Sequence, residues 1–450
     1  MAGVVFWFRQ DLRLHDQLAL SSAIEQAQRL GGWLLPVFIH EDRFQTLTPW
    51  GFKRSGVFRN AWMRQAVHDL SAKLQSLGST LLEAEGDPVA LLTETVRALS
   101  DPLLSDPVLG RPLLVCEEIA APEEQAQIEA LRRHGVTVKT IWQSTLMAPE
   151  SLPLPPEDLP DRFTSFRQIL ERHGVKAAAP LPETKALPPL PAGSSWASLG
   201  ASFRASLPSA FGVVDTSSPK KTPVQIDARS AVPWDASAFS HLSQYCDRGL
   251  PHTYKATRNG LMGIDYSSKW SPWLATGALS ARTAWAAVAE FESVAGASDS
   301  SYWLFFELLW RDHFRWLHLK HGRRLYAAQG LNQAPKPPHD PEAFSRWCLG
   351  ETGHPFIDAG MRELAATGYL SNRMRQNVAS YLIHDLACDW RAGAAWFESC
   401  LIDFDVYNNQ GNWLYLSGRG TDPRPQRRFN PELQAKNYDP DGAYRQLWAA

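Results

Sequence analysis

The sequence has little cysteine for its length of 450 residues, and no Cys-x-x-Cys pair. The five cysteines are Cys116, Cys246, Cys348, Cys388 and Cys400. An odd and scattered set argues against a disulfide framework, a zinc site or an iron–sulfur cluster. We therefore expect reduced thiols in a cytoplasmic protein and no bound metal.

Long apolar runs and phosphate-binding loops are also missing. No stretch approaches the roughly 20 apolar residues that a membrane helix needs. A strand-like segment at residues 4–8 begins almost at Met1, so we expect no signal or transit peptide. Neither G-x-G-x-x-G nor G-x-x-x-x-G-K-S/T occurs, which excludes the usual dinucleotide and triphosphate cradles.

Charge of one sign is not in excess, whereas tryptophan is abundant. Lys and Arg total 45 and Asp and Glu total 47, for a net charge of −2. A nucleic-acid site would therefore have to be a local patch. The chain has 18 tryptophans, and packing explains most of them. The excess still suggests an aromatic ligand, stacked bases or redox chemistry.

Hydrophobic periodicity divides the chain into three parts. In residues 1–145, five short apolar strands alternate with helical patterns, which predicts a doubly wound, Rossmann-like parallel sheet. Residues 146–236 are rich in proline, serine and glycine, which indicates a surface linker. Residues 237–450 are helical, and the clearest patterns lie at 274–294, 302–321, 358–366 and 372–390. The predicted architecture is an α/β domain, a long linker and an all-α domain.

The helix predicted at 302–321 places a carboxylate, an indole and a guanidinium on one face. Glu307, Trp310 and Arg311 follow the spacing i, i+3 and i+4 among mostly apolar neighbours. A solvated ion-pair stripe would give the same spacing, but so apolar a helix should be buried on most sides. A buried carboxyl beside an indole is more typical of a ligand wall, where burial raises the pKa of the acid.

Three weaker patterns lie in the same half of the chain. Asn372, Arg375 and Gln376 form a polar face of the next helix, which solvent exposure explains equally well. Residues 403–413 mix two aspartates and three asparagines with aromatics, which is typical of a turn-rich loop or of a site for a heterocycle. Residues 266–272 place hydroxyls and an amine before a helix start, where a phosphate could bind.

Together these segments resemble one known family. The matching text is 6–16 (FWFRQDLRLHD), 254–260 (YKATRNG), 265–275 (DYSSKWSPWLA), 306–312 (FELLWRD), 350–353 (GETG), 372–380 (NRMRQNVAS), 411–415 (GNWLY) and 437–442 (NYDPDG). It resembles the photolyase/cryptochrome family, and most of all the DASH-type cryptochromes. The match covers the N-terminal domain and nearly all of residues 250–448.

The resemblance implies a flavoprotein that holds FAD in its helical domain and uses blue light to repair cyclobutane pyrimidine dimers. By motif position, the phosphates and ribose of FAD would be held by Tyr254, Ser267, Ser268, Lys269, Trp270 and Ser271. Glu307 and Arg311 would lie along the pocket. The ring systems would be contacted by Asp403, Asp405 and Asn409, with Asn409 near flavin N5 and Arg375 paired with Asp403.

The resemblance also assigns roles in dimer binding. Glu307 would hydrogen-bond a thymine carbonyl, Trp310 and Tyr415 would stack on the flipped bases, and Gln376 and Asn372 would contact their edges. Gln376 and Tyr415 are DASH-type residues, which implies a preference for dimers in single-stranded DNA. Backbone contacts would come from Lys255, Arg258, Arg373, Arg424, Arg427 and Arg428.

One departure from the family concerns flavin photoreduction, which runs through three tryptophans. Trp413 and Trp390 match the inner two positions, but Pro337 stands at the outer one. Proline cannot donate an electron, so we expect either another exit, through Trp347, Trp396 or Tyr369, or poor photoreduction.

Further expectations concern an antenna and other functions. The family often carries a folate (methenyltetrahydrofolate) or deazaflavin antenna, and Glu118 matches a folate-binding acid, although a surface carboxylate is an equal alternative. We expect a monomer. The competing function is a flavin-based blue-light photoreceptor with little or no repair. A light-independent nucleotide-binding enzyme is disfavoured, because no phosphate loop is present.

Overall fold

The computed structural model describes residues 3–100, 111–191, 207–213, 224–332, 334–421 and 427–449. Within these ranges, a parallel sheet flanked by helices is followed by a part made of helices. The predicted combination of an α/β domain with an all-α domain is therefore correct. Arg424, one of the predicted DNA contacts, lies outside the described residues.

The sheet has the strand order β5-β4-β1-β2-β3-β6. Its strands are β1 (Gly3–Phe8), β2 (Trp33–Glu41), β3 (Leu82–Gly86), β4 (Leu113–Glu117), β5 (Val138–Ile141) and β6 (Gly212–Val213). The first five pair in parallel, with Val5 opposite both Leu35 and Leu114, and β6 joins β3 in the antiparallel sense. Every residue of β1 is buried, as expected of a central strand covered on both faces. The strand order reverses between β1 and β4, which opens a crevice at the carboxyl ends of the strands.

Four helices cover the sheet: α1 (Leu18–Arg29), α2 (Val57–Ser76), α3 (Pro88–Ala98) and α4 (Pro122–Arg133). Leu20 of α1 and Leu70 of α2 pack into the core on one face, and Leu92 of α3 and Ile128 of α4 into the core on the other. Both α3 and α4 begin with proline, whose fixed φ suits the first helical position.

The segment predicted as a surface linker contributes to the core. Helix α5 (Phe163–Arg172) buries Phe163, Phe166 and Leu170, which follow the spacing i, i+3 and i+7 of an amphipathic helix. These side chains join a core cluster shared with the helical part of the chain. Strand β6, also from this segment, extends the sheet. The proline-rich composition of this segment therefore gave no indication that helix α5 packs in the core.

The helical part follows with twelve helices in the described ranges. They are α6 (Ala238–Asp247), α7 (Tyr254–Thr257), α8 (Ser271–Thr276), α9 (Ala281–Ala295), α10 (Asp299–His321), α11 (Pro341–Leu349), α12 (Pro355–Thr367), α13 (Asn372–His384), α14 (Trp390–Cys400), α15 (Val406–Leu416), α16 (Pro431–Tyr438) and α17 (Ala443–Leu447). None of them combines the length and the apolarity that a bilayer crossing requires.

Two predicted helices are wrong at their boundaries. The pattern at 274–294 spans α8 and α9, because Gly277 has φ +75° and Ser280 then caps α9 by accepting the N–H of Thr283 (2.9 Å). The pattern at 372–390 ends at His384, and Ala387, with φ +50°, lies in the turn before α14. Single residues with positive φ thus interrupt a continuous apolar pattern.

Residues near the end of β1 pack directly on the turn between α8 and α9. Buried Asp16 accepts hydrogen bonds from Ser280 Oγ (2.5 Å) and from the Arg282 guanidinium (3.0 Å). A side chain at Gly277 would clash with the backbone of Gln10. The sheet and the helices are therefore joined by a buried seam formed by residues 10–16 and 277–282.

Candidate functional site

Helix α10 carries the carboxylate and the indole that its sequence places on one face. Ser298 caps the helix by accepting the N–H of Ser301 (3.1 Å), and much of the helix is buried. The side chain of Glu307 remains 33% exposed, so a ligand can reach it. Partial burial raises the pKa of Glu307, and the charge of Arg258 opposes that rise.

Arg258 was predicted to contact DNA phosphates, but its partner in the structure is the carboxyl group of Glu307. Its Nη1 is ion-paired with Glu307 Oε1, and its guanidinium lies 4.2 Å from the centroid of the Trp303 ring. A phosphate would have to compete with Glu307 for this cation. The sequence indicated that both residues belong to the site, but it did not indicate the ion pair between them.

Trp310 and Tyr415, predicted to stack on bases, lie together. Their ring centroids are 5.7 Å apart and their planes meet at 75°, so the two rings form a corner. Arg427 lies 4.1 Å above the ring of Tyr415, which brings one predicted DNA-binding cation to this corner. An indole and a phenol at right angles offer two faces to a planar ligand.

Helix α13 brings the predicted edge-contacting residues to a second wall. Ser371 caps it by accepting the N–H of Met374 (3.2 Å). Asn372, Arg375 and Gln376 line a cavity that Asp403 and Asn409 also line. The Gln376 side-chain oxygen accepts a hydrogen bond from Arg373 (3.0 Å), so the Nε2 amino group is the donor that Gln376 could offer to a ligand in this cavity.

The predicted ion pair between Arg375 and Asp403 is present, with Nη2 and Oδ2 2.7 Å apart. Only 1% of the Asp403 side chain is exposed. Its other oxygen, Oδ1, is buried without a hydrogen-bond partner among the described residues. A buried acceptor of this kind requires a donor, which a heterocyclic N–H could supply.

Both carboxylate oxygens of Asp405 already have partners within the protein. Oδ1 accepts the N–H of Asn408 (2.8 Å) as the N-cap of α15, and Oδ2 pairs with Arg315 (2.5 Å). Burial alone would raise the pKa of Asp405, but Arg315 and Arg311 outweigh it and hold the pKa below its ordinary value. Segment 403–413, for which a loop was one interpretation, is therefore mostly helical.

Two further residues were predicted along the cofactor pocket, and of these Asn409 lines this cavity whereas Arg311 does not. Arg311 donates to the backbone carbonyl of Ser144, so it ties α10 to the segment after β5. Asn409 donates its amide Nδ2 to the carbonyl of Ala394 (3.0 Å), which orients Oδ1 as an acceptor for a ligand N–H.

Residues 266–271 form a buried polar segment. Lys269 has φ +54° and is 2% exposed, and its Nζ lies 3.1 Å from the centroid of the Tyr266 ring. Lys269 Nζ, Trp270 Nε1 and the Tyr266 hydroxyl are buried without hydrogen-bond partners among the described residues. Ser267, Ser268 and Ser271 are partly exposed beside them, and Tyr254 is buried. Such a cluster of donors fits an anionic ligand such as the phosphates of FAD.

The three candidate electron-transfer tryptophans are buried in one core cluster. The ring of Trp413 packs closely on Gly393, one turn beyond Trp390 on α14. Phe397 lies between Trp413 and Trp347, with ring centroids 5.1 Å and 6.3 Å away. Trp347 therefore has an aromatic connection to Trp413, whereas Pro337 offers none.

Most of the predicted DNA-binding cations are already paired. Lys255 is paired with Asp299, and Arg428 with Asp385 (2.5 Å). Arg373 donates to Asn259 (2.8 Å). Exposed pairs of this kind contribute about 0–1 kcal/mol, so phosphates could displace them.

Two large cavities lie beside the candidate site, and the first shares Trp390 and Asn409 with it. One, of about 610 Å³, opens between the sheet and the helices, with Trp50, Glu123, Trp390 and Asn409 on its walls. The other, of about 490 Å³, lies at the carboxyl ends of β1 to β3. Glu118, the predicted folate ligand, lines neither cavity. In the part of the chain that the structure describes, no group of three or more His, Cys, Asp or Glu side chains is placed to hold a metal.

Sequence reasoning missed two buried charged residues beside the site: Arg315, which pairs with Asp405, and Glu363, whose charge acts on Lys269. Arg315 lies one turn after Arg311 on α10, so its spacing was visible in the sequence, but its pairing with Asp405 was not. Glu363 of α12 accepts a hydrogen bond from the hydroxyl of Tyr444 (2.5 Å), and burial raises the pKa of Glu363 to about 7. These partners lie 81 residues apart, so no local pattern could indicate them.

Comparisons with known proteins agree with this geometry. The model of the DNA photolyase domain matches residues 4–188, and the FAD binding domain of DNA photolyase matches residues 303–450. Cryptochrome DASH of Gloeobacter violaceus is 40% identical over 99% of this chain and 85% of its own length. Cryptochrome DASH of Xenopus laevis is 38% identical over 99% and 82%.

Solved structures give the same answer. The cryptochrome of Synechocystis sp. superposes with a TM-score of 0.86 at 36% identity, covering 100% of this chain and 88% of that one. A class III photolyase from Agrobacterium tumefaciens gives 0.76 at 29% identity, covering 100% and 86%. The orphaned donors around Lys269 and the acceptor on Asp403 fit the FAD that this domain binds. The chain belongs to the DNA photolyase/cryptochrome family, together with the cryptochromes of DASH type.

Proposed function

We propose that this protein repairs cyclobutane pyrimidine dimers in DNA under blue light, with a preference for single strands. The observation that carries the proposal is the corner of Trp310 and Tyr415 in the same wall as the reachable carboxyl of Glu307. When bound, FAD supplies the light absorption and the electron that opens the dimer. The residues of this chain bind the dimer, orient it and stabilise the charge that it receives.

Glu307 is the proposed hydrogen-bond partner of a pyrimidine carbonyl. Its raised pKa favours the protonated acid, which can donate to a carbonyl oxygen as that oxygen gains negative charge. The proposal requires Arg258 to leave the carboxylate, since its charge favours the deprotonated form of Glu307. A DNA phosphate beside the dimer is a suitable acceptor for Arg258.

Trp310 and Tyr415 are the proposed stacking surfaces for the two bases. Photolyases take their target out of the base stack, at a cost of a few kcal/mol that is least in single-stranded DNA. Gln376 and Asn372 would then contact the base edges. Gln376 and Tyr415 are the residue types of the DASH-type cryptochromes, and this resemblance supports the preference for single strands.

Arg375, Asp403 and Asn409 are the proposed partners of the flavin ring. The cation of Arg375 favours added negative charge on a nearby ring, and Asn409 Oδ1 can accept an N–H. Lys269 would pair with the phosphates, together with Ser267, Ser268 and Ser271. These groups would hold the cofactor and favour its reduced form.

The experiment measures dimer cleavage by the FAD-loaded protein under blue light, on single-stranded and duplex oligonucleotides carrying one thymine dimer. We expect cleavage of both, faster on single strands, and a large loss in Glu307→Gln with unchanged FAD content. Flavin bands with no cleavage on either substrate would favour the photoreceptor function, which the cryptochrome names of its relatives also allow. Equal rates on both substrates would reject the strand preference alone.

The finer expectations from sequence remain proposals of the same kind. A folate antenna would have room in the cavity of about 610 Å³, whose wall includes the flat ring of Trp50. A near-ultraviolet band beside the flavin bands of the purified protein would support it. All five cysteines are free thiols, which suits a cytoplasmic protein, and we propose that it acts as a monomer.

A further inference from the structure

Phe163, from helix α5 of the linker, stacks on Trp310. The two ring centroids are 3.8 Å apart and the planes differ by 10°. Phe163 is 6% exposed, and its ring also meets Phe306 edge to face at 5.0 Å. The linker therefore supplies the ring that lies behind Trp310 in the proposed dimer site.

The stack restricts how Trp310 can meet a ligand. Because Phe163 covers one face of the indole, a base can stack only on the other face. His313 packs at the edges of both rings, with centroids 5.7 Å from Phe163 and 5.8 Å from Trp310. Burial lowers the pKa of His313 to about 3, so a neutral ring fills this space without adding charge.

We propose that Phe163 is a positioning residue for dimer recognition, which fixes the plane of Trp310 before a base arrives. This inference rests on the proposed repair function. A ring that is already held in its binding orientation loses less conformational freedom when the ligand binds. Removing the stacked ring should therefore weaken dimer affinity while leaving the FAD site, which lies on other elements, unchanged.

The size of the effect follows from the energy of an aromatic pair. Stacked pairs add an amount that corresponds to about a two- to tenfold change in an equilibrium constant. We expect Phe163→Leu to weaken binding of dimer-containing DNA by that factor. Repair of dimers that are already bound should change little, so the loss should appear in KM and not in kcat.

The experiment compares Phe163→Leu with Phe166→Leu in the FAD-loaded protein. Phe166 lies one turn further along α5, is also buried, and packs on His313 at 5.0 Å. Affinity is measured in the dark with a single-stranded oligonucleotide carrying a thymine dimer, and KM and kcat are then measured in light. Phe163→Tyr, which keeps the stacked ring, should restore wild-type affinity.

Two results would overturn the inference. One is equal dimer affinity and KM in Phe163→Leu and Phe166→Leu while the wild type repairs normally. The other is a loss of FAD in Phe163→Leu beyond that in Phe166→Leu, since the residue would then serve the fold. If the wild-type protein neither binds nor repairs the dimer, the proposed function itself fails, and the role of Phe163 fails with it.

Discussion

Replacing Lys269 by methionine should weaken FAD binding and stabilise the FAD-free protein. The ammonium of Lys269 is buried against the ring of Tyr266 and has no hydrogen-bond partner among the described residues. Burial lowers its pKa well below the ordinary value. If the phosphates of FAD are its partners, the FAD-free protein leaves this buried amine without a hydrogen-bond partner. Methionine keeps the apolar stem and removes the amine.

The magnitudes come from general hydrogen-bond energies. A hydrogen bond to a charged group contributes about 1.5–3 kcal/mol. Lys269→Met should therefore weaken FAD binding by about 10- to 150-fold. Leaving a buried polar group without a partner costs about 1–3 kcal/mol, so the same variant should stabilise the FAD-free protein by about that amount. The positive φ at position 269 strains lysine and methionine equally, so it does not affect the difference in stability.

The assay follows FAD release on dilution by flavin fluorescence, and the unfolding of FAD-free protein in urea. Lys255→Met is the matched control, since its amine is exposed and paired with Asp299, and it should change neither quantity. Wild-type FAD affinity in Lys269→Met would refute the reasoning. So would a variant that is less stable than the wild type without FAD.

Three further predictions concern other buried groups. Asp405→Asn should destabilise the protein in urea by about 3–5 kcal/mol, because it leaves the guanidinium of Arg315 buried without its charge partner; an unchanged midpoint would contradict this. Glu363→Gln should flatten the pH dependence of stability. Because the pKa of Glu363 is raised to about 7, the native state binds a proton that the unfolded state has released. The wild type should therefore lose stability as the pH rises from 4.5 to 7, and the variant should not. The same change in urea midpoint between pH 5 and pH 8 in both proteins would argue against this. Trp347→Phe should slow flavin photoreduction at constant FAD content, because Phe397 connects Trp347 to Trp413; an unchanged bleaching rate would remove Trp347 from the route.

The fold class could be predicted because its signals are local. Strands and helices alternate in the first part of the chain with clear apolar periods, and the sheet follows from that alternation. The errors arise where one backbone conformation breaks a continuous pattern, as at Gly277 and Ala387. Helix α5 was underestimated because its apolar spacing is embedded in proline-rich text.

From residue spacing alone, the candidate site was predictable along each helix but not between helices; the Arg375–Asp403 pair was predicted only from the family resemblance. Glu307 and Trp310 share one face of α10, so spacing alone placed them together. The partners of Glu307 and Asp405 are Arg258 and Arg315, which lie 49 and 90 residues away. Tertiary packing brings such residues together, and a single sequence carries no record of it.

The seam of residues 10–16 and 277–282 has a consequence for domain exchange. Because Gly277 meets the backbone of Gln10 and Asp16 holds Ser280 and Arg282, each half of the molecule completes the surface of the other. A chimaera whose sheet came from a different protein would leave the Arg282 guanidinium buried without its carboxylate partner. To remain intact, such a hybrid would have to retain the native stretch from Gln10 to Asp16 even if every other part of the sheet were exchanged.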